Sequence, residues 1–207
     1  MESDMEIEKY SLTAPLHSIE YEKEYFTKTG YEGYRDYPLN DVRAQKIIDM
    51  THPSSVLDVG GAYGYIVKRL LAQGIHAICM EISHWCEEQA KTIIPDHFVR
   101  HDMRDTPYPF KDKEFDVVYC EGVLEHIEDK FIEAIMTEFE RISHERILAL
   151  TFDWHIKVAP HLSEDGLAPG HINLHSHNWW FAKMPIHSWL FYPATGIQDE
   201  RIWLYKC

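Results

Sequence analysis

The sequence predicts one α/β domain built on a doubly wound, mostly parallel sheet. Three observations carry this. From Ser55 onward, short apolar runs alternate with amphipathic helical segments, a rhythm that implies parallel strands joined by right-handed crossovers. The first apolar run empties into a glycine-rich turn, Gly60-Gly61-Ala62-Tyr63-Gly64, directly before a helix. The last two apolar runs are joined by a turn so short that they must lie antiparallel. With 207 residues, 45% hydrophobic side chains and no repeat or Ser/Gly-rich linker, the chain can fill one core and has nothing to divide it.

Each element has a local reason. SSVLDVGG is a short apolar run ending in glycines, which suits a buried parallel strand. Ile66, Val67, Leu70 and Leu71 share a helical face, and Gly74 is a natural stop. HAICMEI is a second strand, and Ser83 is placed to cap the helix through Lys91. HFVRHD and EFDVVYCEG supply a third and fourth strand. A helix over Asp129–Arg141 buries Phe131, Ile132, Ile135, Met136 and Phe139, and RILALTFDW is a fifth strand. HLSEDGLAPG is a loop, SHNWWFAKM a helix stopped by Pro185, and SWLFYP and ERIWLYKC the closing antiparallel pair.

Lys plus Arg number 20 against 34 Asp plus Glu, a formal charge of −14. That balance disfavours nucleic acid and anionic membrane surfaces, which need the opposite sign. No run approaches the roughly 18 apolar residues of a membrane span, and MESDMEIEKY is too acidic for a targeting peptide. Cys79, Cys86, Cys120 and Cys207 form no CxxC pair, so the chain reads as a reduced, soluble, cytoplasmic protein.

The turn after the first strand sits where α/β sheets bind nucleotides. Small residues there let backbone approach a ligand. Two further acids, Glu81 and Asp102, end the second and third strands along the same edge, and a strand-end carboxylate can accept hydrogen bonds from ribose hydroxyls. Capping or turn formation is the plain alternative for Asp58 and Asp102. A dinucleotide fingerprint needs a small residue where Tyr65 stands, and there is no GxxxxGK[ST] loop. Asp58 ahead of the turn would repel a pyrophosphate but suit an ammonium group.

VLDVGGAYG, CMEIS, HDMRDTPYPFKDKEFDVVYCEGVLEHIED and GHINLHSHNWW together resemble the class I S-adenosylmethionine-dependent methyltransferases of the type 11 group, over roughly Tyr25 to Cys207. The resemblance implies a seven-stranded Rossmann-like sheet with ERIWLYKC antiparallel and inserted near the edge, and S-adenosyl-L-methionine as cofactor. Gly60, Gly61, Ala62 and Gly64 would wrap its methionine moiety, with Asp58 near the amino group. Glu81 would hold the ribose, Ile82 and Met103 would pack on the adenine, and Asp102 would receive its amine. Glu121 and Gly122 would stand where cofactor and acceptor meet. The middle glycine of the family's turn is Ala62 here.

The family motifs do not identify the acceptor; the reading is an oxygen or nitrogen of a small molecule, sugar or similar biosynthetic intermediate. The residues after the fourth strand lack the Asn/Asp-Pro-Pro-aromatic and Pro-Cys patterns of nucleic-acid methyltransferases. A hydroxyl acceptor needs a base, and imidazole is the natural one near neutral pH. His126 and His171 are the candidates, on two loops at the carboxyl edge; His126 with Glu125 equally suits bracing of the next helix. His171, His175 and His177 have spacing that admits a metal, but no matching Cys or carboxylate cluster accompanies them, and none is assigned. Residues 1–40 form an extension whose Tyr25, Phe26, Tyr31, Tyr34 and Tyr37 either fold over the site as a lid or bury the sheet edge; the methyltransferase domain spans 41–207. Two other readings keep the fold: a relative that cleaves or rearranges the cofactor, and a non-catalytic module serving a partner protein.

Overall fold

A computed structural model of the chain describes residues 21–28, 34–150, 172–173, 175–183, 189–192 and 202–206. Strand β1 (Ser55–Val59) pairs in parallel with β2 (His76–Glu81) and β4 (Phe115–Glu121). β3 (Phe98–Arg100) extends the sheet beside β2, and β5 (Ser143–Leu150) lies parallel to β4. β7 (Ile202–Lys206) runs antiparallel to both β5 and β6 (Trp189–Tyr192). The order is therefore β3-β2-β1-β4-β5-β7-β6. It reverses between β1 and β4, and the carboxyl ends of these two strands open a crevice.

Strand alternation sends successive side chains to opposite helical layers. Leu57, Val59, Val118 and Cys120 pack under α5 (Asp129–Ile142), whose Ile132, Ile135, Met136, Phe139 and Ile142 are all buried. Trp180 of α6 (His177–Lys183) joins this layer fully buried. Truncating a buried ring such as Phe139 to Ala would cost roughly 3–5 kcal/mol. Val56, Ala77, Cys79, Val117 and Tyr119 face the other layer, formed by α2 (Leu39–Thr51), α3 (Tyr65–Ala72) and α4 (His84–Ile93). Ser83 caps α4 by accepting the Cys86 N–H. A short helix, α1 (Lys23–Lys28), precedes them.

Three boundaries differ from those read in the sequence. The third strand contracts to Phe98–Arg100. The fifth begins at Ser143, immediately after α5, because Ser143 already pairs with Phe115; its expected continuation past Leu150 lies outside the described residues. Helix α2 starts at Leu39 and so crosses the expected boundary at residue 41. Among the described residues no helix is long and apolar enough to cross a membrane, and Cys79, Cys86 and Cys120 are buried free thiols.

Candidate functional site

The turn after β1 is tight because three of its residues take left-handed backbone: Gly60 at φ +73°, Ala62 at +48° and Gly64 at +79°. The Gly60 N–H donates to the Met80 carbonyl at 2.8 Å, tying the turn to β2. A side chain at Gly60 would collide with Val123, so glycine is needed for space as well as for conformation. Ala62 holds a conformation that costs an L-residue roughly 1–2 kcal/mol.

Beside this turn lies a cavity that is partly open to solvent. Of the residues singled out in the sequence, Gly60, Ala62, Glu81 and Ile82 line it on one side. Asp102, Met103, Gly122 and His126 line it as well. Glu81 is 8% exposed. Its Oε1 accepts the N–H groups of Ile82 (2.8 Å) and Ser83 (3.1 Å), and its Oε2 accepts that of Ala62 (3.3 Å). Burial pushes the Glu81 carboxyl above the ordinary range, although these three N–H groups pull the other way. A carboxylate has about four acceptor positions, so Oε2 keeps one for a ligand hydroxyl.

Asp102 is differently placed. Its carboxylate is clasped by Arg104, two residues on, with Nε at 2.9 and 3.0 Å from the two oxygens. Burial opposes ionisation of Asp102, but the Arg104 guanidinium and backbone N–H outweigh it and hold the pKa below the usual range.

Asp58, Gly61, Gly64 and Glu121 do not line the cavity. Asp58 and Glu121 share strand parity with Val56 and Tyr119, so both point to the α2 layer beneath it. There Arg43 of α2 binds both Glu121 oxygens, at 2.6 and 2.7 Å, and the Tyr119 hydroxyl donates to the same carboxylate. Asp58 is 2% exposed, and its Oδ2 has no hydrogen-bond partner. Burial, reinforced by Glu121 and Glu81 and only partly offset by Arg43, pushes its pKa up to about 8. Gly61 has room only for hydrogen, since a Cβ there would sit 2.5 Å from Asp58 Oδ2. Gly64 is kept bare by Ile94.

His126 ends a 3-10 turn, Leu124–His126, that follows β4. The turn is held from far along the chain: the Ile172 and Asn173 N–H groups both donate to the Glu125 carbonyl at 2.9 Å. The amide of the fully buried Asn173 also reaches the Leu124 carbonyl, at 3.4 Å. His171 lies outside the described residues. His175 stacks on Trp179 with ring centroids 3.8 Å apart, and its Nε2 meets the Asp129 carboxylate at 3.0 Å. Among the described residues no group of three or more His, Cys, Asp or Glu is arranged to hold a metal.

Tyr25, Phe26 and Tyr34 of the N-terminal extension line the cavity, as does Tyr21. Tyr31 falls outside the described residues, and Tyr37 is not a lining residue. The Tyr21 ring meets His126 edge to face, with centroids 6.3 Å apart. Its hydroxyl is buried and has no hydrogen-bond partner, and burial raises its pKa. Tyr21, His101, Arg104, Val123 and Ile127 line the cavity without having been singled out in the sequence. The signals were thin: one more Tyr in an aromatic stretch, and an Arg two residues after a strand-end Asp.

Residues 57–146 match a family model described as a methyltransferase domain. No curated protein matches the chain. Among solved structures, the PH0226 protein of Pyrococcus horikoshii superposes with a TM-score of 0.67 at 15% identity, covering 88% of this chain and 97% of that one. A TehB-like S-adenosylmethionine-dependent methyltransferase of Corynebacterium glutamicum gives 0.57 at 12% identity, covering 80% and 85%. Human N-acetylserotonin methyltransferase, solved with S-adenosylmethionine, gives 0.61 at 13% identity, and the match spans 81% of this chain but only 51% of that longer one. These likenesses are of fold, and the segment that matches the family model runs from β1 into β5. Residues 57–146 thus match a methyltransferase domain, carried in a fold shared with solved S-adenosylmethionine-dependent methyltransferases.

Proposed function

We propose that this protein transfers the methyl group of S-adenosyl-L-methionine to an oxygen or nitrogen of a small-molecule acceptor. The carrying observation is that one cavity joins Glu81, with its remaining acceptor position, to His126 across a wall of backbone from the β1 turn. That combination fits a ribose-bearing ligand on one side and a reacting group on the other. Glu81 would hold the ribose, the backbone of Gly60 and Ala62 would flank the methionine moiety, and Ile82 and Met103 would pack on the base. Asp58 acts from below, as a buried carboxyl one layer under the turn. The bound cofactor supplies an activated methyl group for direct displacement.

The rest is the work of the chain. Positioning dominates catalysis of a displacement, and Tyr21, Tyr25 and Phe26 wall off the acceptor side. His126 takes the proton of a hydroxyl acceptor at an imidazole nitrogen, and the Ile172–Asn173 segment keeps its turn in place. Tyr21, Tyr25, Phe26 and Tyr34 of the N-terminal extension act as a lid over the cavity. Among the described cavity-lining residues Arg104 is the one permanent cation, and it is bound to Asp102; with the charge of −14 this favours a small molecule over nucleic acid. Buried free thiols suit a reducing, cytoplasmic setting.

The test is incubation with methyl-labelled S-adenosylmethionine and a metabolite extract, read by mass spectrometry. The expected outcome is label on a small molecule. Label confined to nucleic acid or protein, or cofactor breakdown with no labelled acceptor, would overturn the proposal.

A further inference from the structure

Tyr21 brings to the cavity a hydroxyl that the described fold does not use. The oxygen is buried and has no hydrogen-bond partner, and the residue lines the cavity. Buried polar atoms without a partner are few in folded proteins, and one on a cavity wall points to a ligand. The ring is held from one side. It packs edge to face on the buried Tyr25, with centroids 5.0 Å apart. The next residue, Glu22, accepts the Trp85 N–H of α4 at 3.2 Å, and the Lys23 ammonium lies 5.2 Å from the Trp85 ring centre. The Tyr21 ring also meets His126, with centroids 6.3 Å apart, so a phenol and an imidazole from distant segments flank one part of the cavity. Burial, with Glu81 adding to it, raises the Tyr21 pKa. The phenol therefore keeps its proton and acts as a donor.

We infer that Tyr21 and His126 together select a neutral hydroxyl as the methyl acceptor, Tyr21 donating to the acceptor oxygen while His126 takes its proton. The inference rests on the reading of the cavity as a methyl-transfer site. A hydroxyl has one proton and two lone pairs. It gives the proton to the imidazole, accepts the Tyr21 O–H on one lone pair and attacks with the other. A carbon–oxygen bond forms to the methyl group, the carbon–sulfur bond breaks with its electron pair left on sulfur, and the imidazolium returns the proton to solvent. A neutral amine has a single lone pair. If the Tyr21 O–H holds it, none remains for attack, and an ammonium has none at all. A carboxylate has lone pairs to spare but no proton for His126. It would also bring its charge toward Glu81 and Glu125, the two acids that act on the Tyr21 hydroxyl.

The experiment compares the full chain, native and Tyr21→Phe. Each is incubated with a metabolite extract and S-adenosylmethionine isotopically labelled at the methyl carbon, and the products are read by NMR, which separates O-methyl from N-methyl carbons. The expected native product is an O-methyl ether. Tyr21→Phe should slow its formation roughly 10- to 100-fold, the worth of one hydrogen bond to an oxygen that is losing its proton. Calorimetry should show the S-adenosylhomocysteine affinity of the variant essentially unchanged. Because the hydroxyl has no partner in the described fold, Tyr21→Phe should also unfold in urea at a midpoint no lower than the native one, a readout that needs no ligand. A lower midpoint would mean that the hydroxyl serves the fold, and weakened S-adenosylhomocysteine binding would place it on the cofactor; either overturns the inference. So does an N-methyl or methyl-ester product, or an ether formed at the native rate by Tyr21→Phe, and each of these leaves methyl transfer standing. No labelled small molecule with the native protein overturns the methyl-transfer reading itself, and this inference with it.

Discussion

Asp58 gives the sharpest quantitative test of the site's electrostatics. Its carboxyl is buried, Oδ2 lacks a partner, and the cation that acts on it, Arg43, is bound to Glu121. An unpaired charge in such a place is costly, so the group keeps its proton. The pKa rises from an ordinary 3.8 to about 8. Because the folded value lies above the unfolded one, the folded chain binds the proton more tightly. The resulting stability is complete below pH 4 and is lost as pH climbs through 8. Each pH unit is worth about 1.4 kcal/mol, so the whole interval amounts to on the order of 5 kcal/mol, a large share of the roughly 5–15 kcal/mol that holds a domain together. Asp58→Asn keeps the shape and removes the titration. Urea unfolding of both proteins from pH 5 to 8.5 should show the native chain losing stability relative to the variant by about 1.4 kcal/mol per unit. Taking the difference of the two curves cancels every group that titrates alike in both. Parallel curves would refute the reasoning and would mean that Asp58 is ionised throughout.

Ala62→Gly should stabilise the fold by roughly 0.5–1 kcal/mol, since relief of left-handed strain exceeds the added chain entropy of glycine; a lower urea midpoint would contradict this. Glu81→Ala should weaken S-adenosylhomocysteine binding by about 1.5–3 kcal/mol, the worth of a hydrogen bond to a charged acceptor, as read by calorimetry; unaltered affinity would remove Glu81 from the ribose site. His126→Ala should lower turnover on a hydroxyl acceptor by on the order of 10²–10⁴ with cofactor affinity nearly unchanged. An intact rate would mean that positioning alone suffices, as with an acceptor that is already nucleophilic.

Local chemistry was legible wherever a residue's role depends on its near neighbours. Ser83 caps α4 because its hydroxyl needs only the N–H three residues on. The buried stripe of α5 repeats with the helical period, and the apolar runs of β1 and β4 can be satisfied only by layers on both faces. The glycine-rich turn and the acids ending β2 and β3 located the cavity for the same reason: strand ends on one sheet edge converge once the order of strands is set.

The sequence by itself thus determined the α/β rhythm, the parallel core with its antiparallel closing pair, and the edge of the sheet that carries the site. Tertiary structure alone decided where each strand-end side chain goes. Glu121 reads like Glu81 in the sequence, yet it turns away from the cavity because Arg43, 78 residues earlier, waits on the α2 face. Asp102 reads as a free acceptor, yet the Arg104 guanidinium binds both of its oxygens. The turn bearing His126 is braced by Asn173, 49 residues from Leu124, and the cavity wall is completed by Tyr21 from before the domain. The physical reason is common to all four. Period and propensity specify which face of an element is apolar, whereas the partner of a polar side chain depends on which distant segment covers that face, and only packing supplies that information.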